Sequence, residues 1–179
     1  MNRGAAFTGL TAFAVTAVIG LAAMATQEPL LFPSLGPTAF LLFATPLAPA
    51  ASPRNTLLGH LVGVVSGAIG LAAFGLLSAD PDLVHGTWQR AGAAALALAL
   101  TCGGMVLFDL PHPPAGATTL IVALGLLHTP LQLLLIMLSV LALTALGWAI
   151  NRLAGRPCPL WRAVPAQPAS SARKVRLNR

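Results

Sequence analysis

The chain has 179 residues, with ten Lys or Arg and four Asp or Glu, so only 8% are charged, 56% are hydrophobic, and the net charge is +6. An ordinary soluble domain is about 25% charged, so this composition excludes a disordered chain, which needs low hydrophobicity and high charge. It also excludes a soluble globular enzyme, whose surface so few charges would not cover, and leaves an integral membrane protein.

Crossing roughly 30 Å of hydrocarbon takes about 20 apolar residues. Residues 5–25 are the first such run, free of charge, with Thr8, Thr11 and Thr16 as its polar side chains. It outlasts a signal-peptide apolar core of about 7–15 residues and reads as a retained span. Residues 30–46 follow, opening on Pro33-Ser34-Leu35-Gly36-Pro37-Thr38 before turning apolar. Residues 57–77 are the second long run and contain His60 and Ser66; Arg54 and Asn55 precede it. The third, residues 91–108, comes after Trp88, Gln89 and Arg90. Residues 109–125 again open on prolines, Pro111-His112-Pro113-Pro114-Ala115-Gly116-Ala117-Thr118-Thr119. The fourth run, residues 131–150, ends at Trp148, Asn151 and Arg152. The two Trp residues suit an interfacial aromatic belt.

Proline lacks an N–H and fixes φ, so it suits a first helical turn and spoils an interior. The two proline-opened segments therefore read as extended stretches feeding half-length helices. The expected fold is an all-α integral membrane protein, two repeats of long helix, broken half-helix and long helix. That gives four long spans plus two broken or re-entrant segments. The repeats cover about 5–77 and 90–150, at an offset near 79 residues, within a membrane domain of residues 1–153. Residues 154–179 read as a basic disordered tail that clings to anionic lipid. Seven of the ten basic residues (Arg152, Arg156, Arg162, Arg173, Lys174, Arg176 and Arg179) follow the last apolar run. This placement predicts a cytoplasmic flank, not a nucleic-acid face, with both termini cytoplasmic in what reads as a bacterial inner membrane. Four or six crossings both remain open: four leave Arg54 outside and six leave Arg90 outside. Inverted halves, familiar in transporters, favour six.

Broken helices survive at membrane depth only against protein or water. A helix start offers free N–H groups and a positive partial charge, both suited to an anion. Ser34, Thr38, Thr118 and Thr119 add hydroxyls, and Gly36 and Gly116 allow close approach to the backbone. The alternative is two helices capped by their own hydroxyls, with no ligand. His112, embedded beside Pro113 and Pro114, is a functional candidate that hydrogen-bonds an anion or carries a proton with it. Asp109 either orients His112 or is a solvated interfacial residue. Arg54 either complements an anion or snorkels to headgroups. No metalloprotease, nucleophile-elbow, phosphate-loop or dinucleotide signature is present, and two scattered cysteines make no zinc pattern. The expectation is no enzyme, no metal and no cofactor.

Pro-His-Pro-Pro-Ala-Gly-Ala-Thr at 111–118 resembles the signature of the HPP family of small integral membrane proteins. Two further blocks resemble its members: Phe32-Pro33-Ser34-Leu35-Gly36-Pro37-Thr38-Ala39 and Ser52-Pro53-Arg54-Asn55-Thr56-Leu57-Leu58-Gly59-His60. The resemblance implies a membrane domain usually described as four spans and a transport role, with nitrite carried by some relatives. By motif position it implies Ser34, Gly36, Arg54, His60, His112, Pro113, Pro114 and Gly116 as functional residues. Pro37 departs from the small residue that relatives often carry there. The expected function is transport of a small monovalent anion, nitrite first, with protons as a possible co-substrate, by a homo-oligomer. The alternative is a non-transporting anchor or assembly subunit that packs through Gly63, Gly67 and Gly70.

Overall fold

The computed structural model describes residues 2–163 and contains six α-helices and one short 3-10 turn. Helix α1, Arg3–Thr26, starts where the Asn2 side chain accepts from the Gly4 N–H and stops at Gln27, whose φ of 56° leaves the right-handed region. The half-helix α2 is Leu35–Ala44. After the 3-10 turn Pro49–Ala51, Ser52 caps the Asn55 N–H and Pro53 occupies the first position of α3, Pro53–Ala73. Thr87 caps α4, Trp88–Leu107. The half-helix α5 is Ala115–Ala123. Helix α6, Pro130–Leu153, opens on a capping box of Thr129 and Gln132 with Pro130 inside it. Such caps satisfy N–H groups that lack an intrahelical partner.

Helices α1, α3, α4 and α6 are long and apolar enough to cross a membrane. At 1.5 Å per residue, α2 and α5 each reach about 15 Å, roughly half the hydrocarbon. The order long, short, long occurs twice. Helices α2 and α5 begin eighty residues apart, at Leu35 and Ala115, so Gly36 and Gly116 are second residues and Thr38 and Thr118 fourth. That is one residue more than the offset near 79 expected from the sequence, because proline placement marks a helix start only to within a residue or so.

Contacts between helix ends give each helix its direction. The Arg54 N–H at the start of α3 donates to the Trp161 carbonyl (3.0 Å), and the Arg54 guanidinium reaches the end of α4. Arg156, beyond α6, reaches Phe43 at the end of α2 and lies over the Phe7 ring of α1. One end of the bundle thus holds the starts of α1 and α3 and the ends of α2, α4 and α6. Arg90, at the start of α4, reaches Leu124 at the end of α5, which places both at the other end. The extended stretch before α2 folds back along α1, with Leu31 against Gly20. The stretch before α5 folds back along α4, where Pro111 and His112 share a groove with Leu98 and Cys102. With each half-helix and its extended lead counted as one pass, the chain runs between the two ends of the bundle six times. Arg54 lies at the Trp161 end and Arg90 at the opposite one.

The two triplets exchange their third helices. Helix α3 packs against α4 and α5, and α6 against α1 and α2. On α3, Gly63 and Gly67 face α5 and Gly70 faces α4 so closely that an added Cβ would fall 2.7 Å from the Ala115 O, 2.6 Å from the Val122 Cβ and 2.5 Å from the Ala93 O. The glycines are what allow helix backbones to approach this far.

Residues 154–163 depart from the expected disordered tail. The Arg156 Nη1 donates to the Phe43 carbonyl (2.7 Å), the Cys158 thiol points at the Trp148 carbonyl, and Trp161 receives the Arg54 N–H. Composition hid this, because the partners of Arg156 and Trp161 lie more than a hundred residues away in sequence. The rest of the expected tail, residues 164–179, lies outside the described residues.

Candidate functional site

Helices α2 and α5 run in opposite directions from the middle of the bundle, so their starts meet there. The α2 start brings Ser34 and Thr38; the α5 start brings His112, Thr118 and Thr119; α3 passes beside both and brings His60. Each of these side chains is at most 1% exposed. The two imidazoles face each other, Nε2 to Nε2, at 3.1 Å. The Thr38 Oγ1 lies 3.1 Å from the His60 Nε2 and 3.3 Å from the His112 Nε2. On their other sides, the His60 Nδ1 meets the Thr118 hydroxyl (2.7 Å) and the His112 Nδ1 meets the Ala50 carbonyl (2.6 Å). One chain of contacts therefore runs from Ala50 through both histidines to Thr118, with Thr38 bridging the pair.

The partners assign the protons. A carbonyl only accepts, so the His112 Nδ1 carries a hydrogen and its Nε2 is bare in the neutral ring. Two bare nitrogens would repel at 3.1 Å, so the His60 Nε2 carries the hydrogen between them. The His60 Nδ1 then accepts from the Thr118 hydroxyl. The Thr38 hydroxyl donates to the Ser34 carbonyl (2.9 Å) and can accept from His60. Every polar atom of this neutral network is satisfied, as burial demands.

Two buried hydroxyls beside it are not. The Ser34 Oγ and the Thr56 Oγ1 have no hydrogen-bond partner among the described residues, although both residues are 0% exposed. Ser34 stands at the α2 cap without bonding a helix N–H. Thr119 instead bonds inward, to the Thr101 Oγ1 (2.7 Å) and the Ala115 carbonyl (3.0 Å). Gly59 makes room for His112, whose Cβ would lie 2.8 Å from a Cβ at that position.

The N–H groups at the helix starts are less free than the sequence suggests. Those of Ala115, Gly116 and Ala117 donate to the carbonyls of His112, Pro113 and Pro114, and Leu35 donates to Phe32. Of the expected site residues, the structure brings together Ser34, Thr38, His60, His112, Thr118 and Thr119. Pro114 is buried at the α5 start, while Pro113 is exposed. Gly36 is exposed with nothing within 4 Å of an added Cβ, and Gly116 lines a groove on the α4–α5 flank. That groove, about 610 Å³, also touches Leu98, Cys102, Asp109 and His112. Asp109 does not orient His112, both of whose ring nitrogens already have other partners.

Arg54 stands apart from the cluster. Its guanidinium donates to the Asp109 carbonyl (2.8 Å), the Phe108 carbonyl (3.2 Å) and the Asn55 Oδ1 (3.0 Å), closing the end of α4. Arg90, 8% exposed, does the same for α5 through Leu124 (2.8 Å) and ties that end to the Asp80 carbonyl of the loop after α3. Cations at helix C-termini complement unsatisfied carbonyls and the helix dipole. Away from the cluster, in the loop after α3, the backbone N–H groups of His85 and Val84 hold the Asp82 carboxyl below its ordinary range. Sequence reasoning missed Ala50, Thr56, Thr101 and the role of Arg90. The Ser52–His60 block was the one available signal for Thr56; carbonyl partners leave no trace in a sequence.

The sequence matches the family described as HPP, transmembrane region, over residues 2–159. The chain belongs to the HPP family. The His-Pro-Pro of this HPP protein is thus the lead into α5, with its histidine inside the buried cluster. Two transmembrane proteins of Dictyostelium discoideum are similar to it. One is 40% identical over 88 residues, covering 49% of this chain and 25% of the relative. The other is 31% identical over 121 residues, covering 68% of this chain and 39% of the relative. The chain thus spans well under half the length of either. No solved structure matches it. Family and apolar helices together make this HPP protein an integral membrane protein.

Proposed function

We propose that this protein carries a small monovalent anion across the membrane, nitrite foremost, through the place where the α2 and α5 starts meet. The observation behind this reading is the pair of unpartnered, fully buried hydroxyls, Ser34 and Thr56, beside two opposed half-helix starts. Burying an unpaired hydroxyl costs about 1–3 kcal/mol, a cost that a polar ligand would remove. The positive ends of both half-helix dipoles favour a ligand of negative charge. Nitrite is a compact acceptor that hydroxyl and imidazole donors suit, and the family resemblance points the same way. The cluster as it stands is closed by its own hydrogen bonds. An anion would enter by displacing the Thr38 bridge, and the groove at His112 and Gly116 offers an approach. The triplets are read as inverted repeats, both termini as cytoplasmic and the membrane as a bacterial inner membrane, with a homo-oligomer as the working unit.

The competing anchor reading would offer Gly63, Gly67 and Gly70 to a partner, but α5 and α4 occupy that face. Purified protein in liposomes separates the two. The transport reading expects saturable uptake of at least one anion among nitrite, nitrate, formate and chloride. Uptake equal to that of protein-free liposomes for the whole panel would abandon it.

A further inference from the structure

The histidine pair has room for one more proton and no second. In the neutral network a single hydrogen already lies between the facing Nε2 atoms, which are 3.1 Å apart. An added proton finds one free place, the His60 Nδ1. It enters when the Thr118 hydroxyl turns from donor to acceptor, with no heavy atom moving. A second would set two N–H groups head to head across 3.1 Å and place two positive charges on rings whose centroids are 4.8 Å apart. The proton on the pair is shared through the Nε2–H···Nε2 bond and belongs to both rings.

Among the described residues, the surroundings give that proton no permanent counter-charge. From α2 the pair meets Thr38 and from α5 Thr118, both uncharged. The segment before α3 offers the Ala50 carbonyl. Cys102 of α4 and Asp109 beyond it line the groove that reaches His112, and Asp109 is exposed at the bundle end. Arg54 is turned to the carbonyls of Phe108 and Asp109. Within α1 and α6 the charged side chains are Arg3 and Arg152, at the helix ends. Both half-helix dipoles present their positive ends to the pair, which disfavours an imidazolium. A buried charge left unpaired is costly. The protonated pair therefore calls for an anion, and a buried anion here calls for the protonated pair, since the arginines nearest the cluster are engaged at helix ends.

We propose that His60 and His112 together form a one-proton site, and that this proton and one monovalent anion occupy the middle of the bundle together. The inference rests on the anion reading above for its second half. Electrically the pair of ligands is neutral, so the carried charge per cycle is zero. Binding of each ligand strengthens the other by the same factor, as linkage requires. The proton enters from water as hydronium, bonds to the His60 Nδ1, and leaves by the reverse step.

The test is a pH titration of histidine ring 15N resonances in the full-length protein in lipid bilayers. His85→Gln and His128→Gln variants assign the other two rings. The expected neutral state has hydrogen on the His112 Nδ1 and the His60 Nε2. Acidification should move both rings together in a single one-proton step. Each tenfold rise in nitrite, once the anion is bound, should raise the midpoint by about one pH unit. Two separate steps, no step, or a midpoint indifferent to nitrite overturns the proposal. Proteoliposome uptake run in parallel keeps the two readings apart. Saturable nitrite uptake with independently titrating rings sinks the shared proton site and leaves transport standing. A single shared step without anion uptake keeps the proton site and removes the transport reading.

Discussion

The two half-helices have the same length class and opposite support. Helix α5 lies against the glycine face of α3, near enough that its own backbone and Val122 would collide with a methyl group at Gly63 or Gly67. The Leu124 carbonyl at its end is closed by Arg90. Helix α2 meets a single close glycine, Gly147 of α6, through the flexible end of Leu42, 3.1 Å from an added Cβ. Its last carbonyls are closed by the Asn151 Nδ2 at Leu42 (2.8 Å) and by Arg156 at Phe43. Backbone contact holds α5, whereas side chains hold α2. The free hydroxyl, Ser34, is on the side-chain-held partner. Interiors are close-packed and transmit strain, so in the proposed transport reading the looser half-helix is the one that gives way to the anion.

Four substitutions sharpen or break that contrast. Arg90→Gln should have the largest effect, because it removes the charged donor that joins the Leu124 carbonyl at the α5 end to the Asp80 carbonyl of the loop after α3. Reversible unfolding in detergent should lose about 1.5–3 kcal/mol. Gly67→Ala should cost about 1–3 kcal/mol by overpacking against Val122. A loss under about 0.5 kcal/mol would mean that α5 is not held by backbone contact. Thr38→Val keeps the shape and removes the bridge between the histidines. It should cost about 0.5–1.5 kcal/mol while cutting nitrite uptake at least tenfold, a split seen by pairing unfolding with flux. Gly147→Ala should be the mildest, under about 1 kcal/mol, since the Leu42 side chain can turn aside. Amide hydrogen exchange gives an independent view: α2 should exchange faster than α5, and equal rates would erase the contrast.

The direction of the chain is testable in the same terms. In a protein lacking Cys102 and Cys158, Leu47→Cys and Val84→Cys place thiols on exposed positions at opposite ends of the bundle. An impermeant reagent should reach one from each side of the membrane. Labelling of both from one side would exclude six passes.

The long helices were legible because about 20 uncharged apolar residues have few other uses. The half-helices were legible from Pro33, Pro37, Pro113 and Pro114, whose missing donors mark a helix start. Ser34, Thr38, His112 and Thr118 were legible as a set because hydroxyls and a histidine follow those prolines. His60 came from the family blocks. What the sequence hid is everything settled by a distant partner. Arg54 reads as an anion ligand or a charge reaching for headgroups until the α4 end is placed beside it, and Arg90 looks like an interfacial charge until α5 ends there. Residues 154–163 look disordered by composition, yet Arg156 and Trp161 find partners at Phe43 and Arg54. The free N–H groups expected at the α5 start are consumed by tight turns through its own prolines, a local geometry that residue types alone do not specify.

The central claim is that an anion passes between the α2 and α5 starts. Concentration-dependent nitrite uptake by proteoliposomes holding either the natural protein or Thr38→Val, both verified as folded, tests it most directly. The account predicts saturable uptake by the natural protein and at least a tenfold loss in the variant. Equal uptake by the two would show that the anion travels elsewhere, and uptake by neither above protein-free liposomes would contradict transport itself.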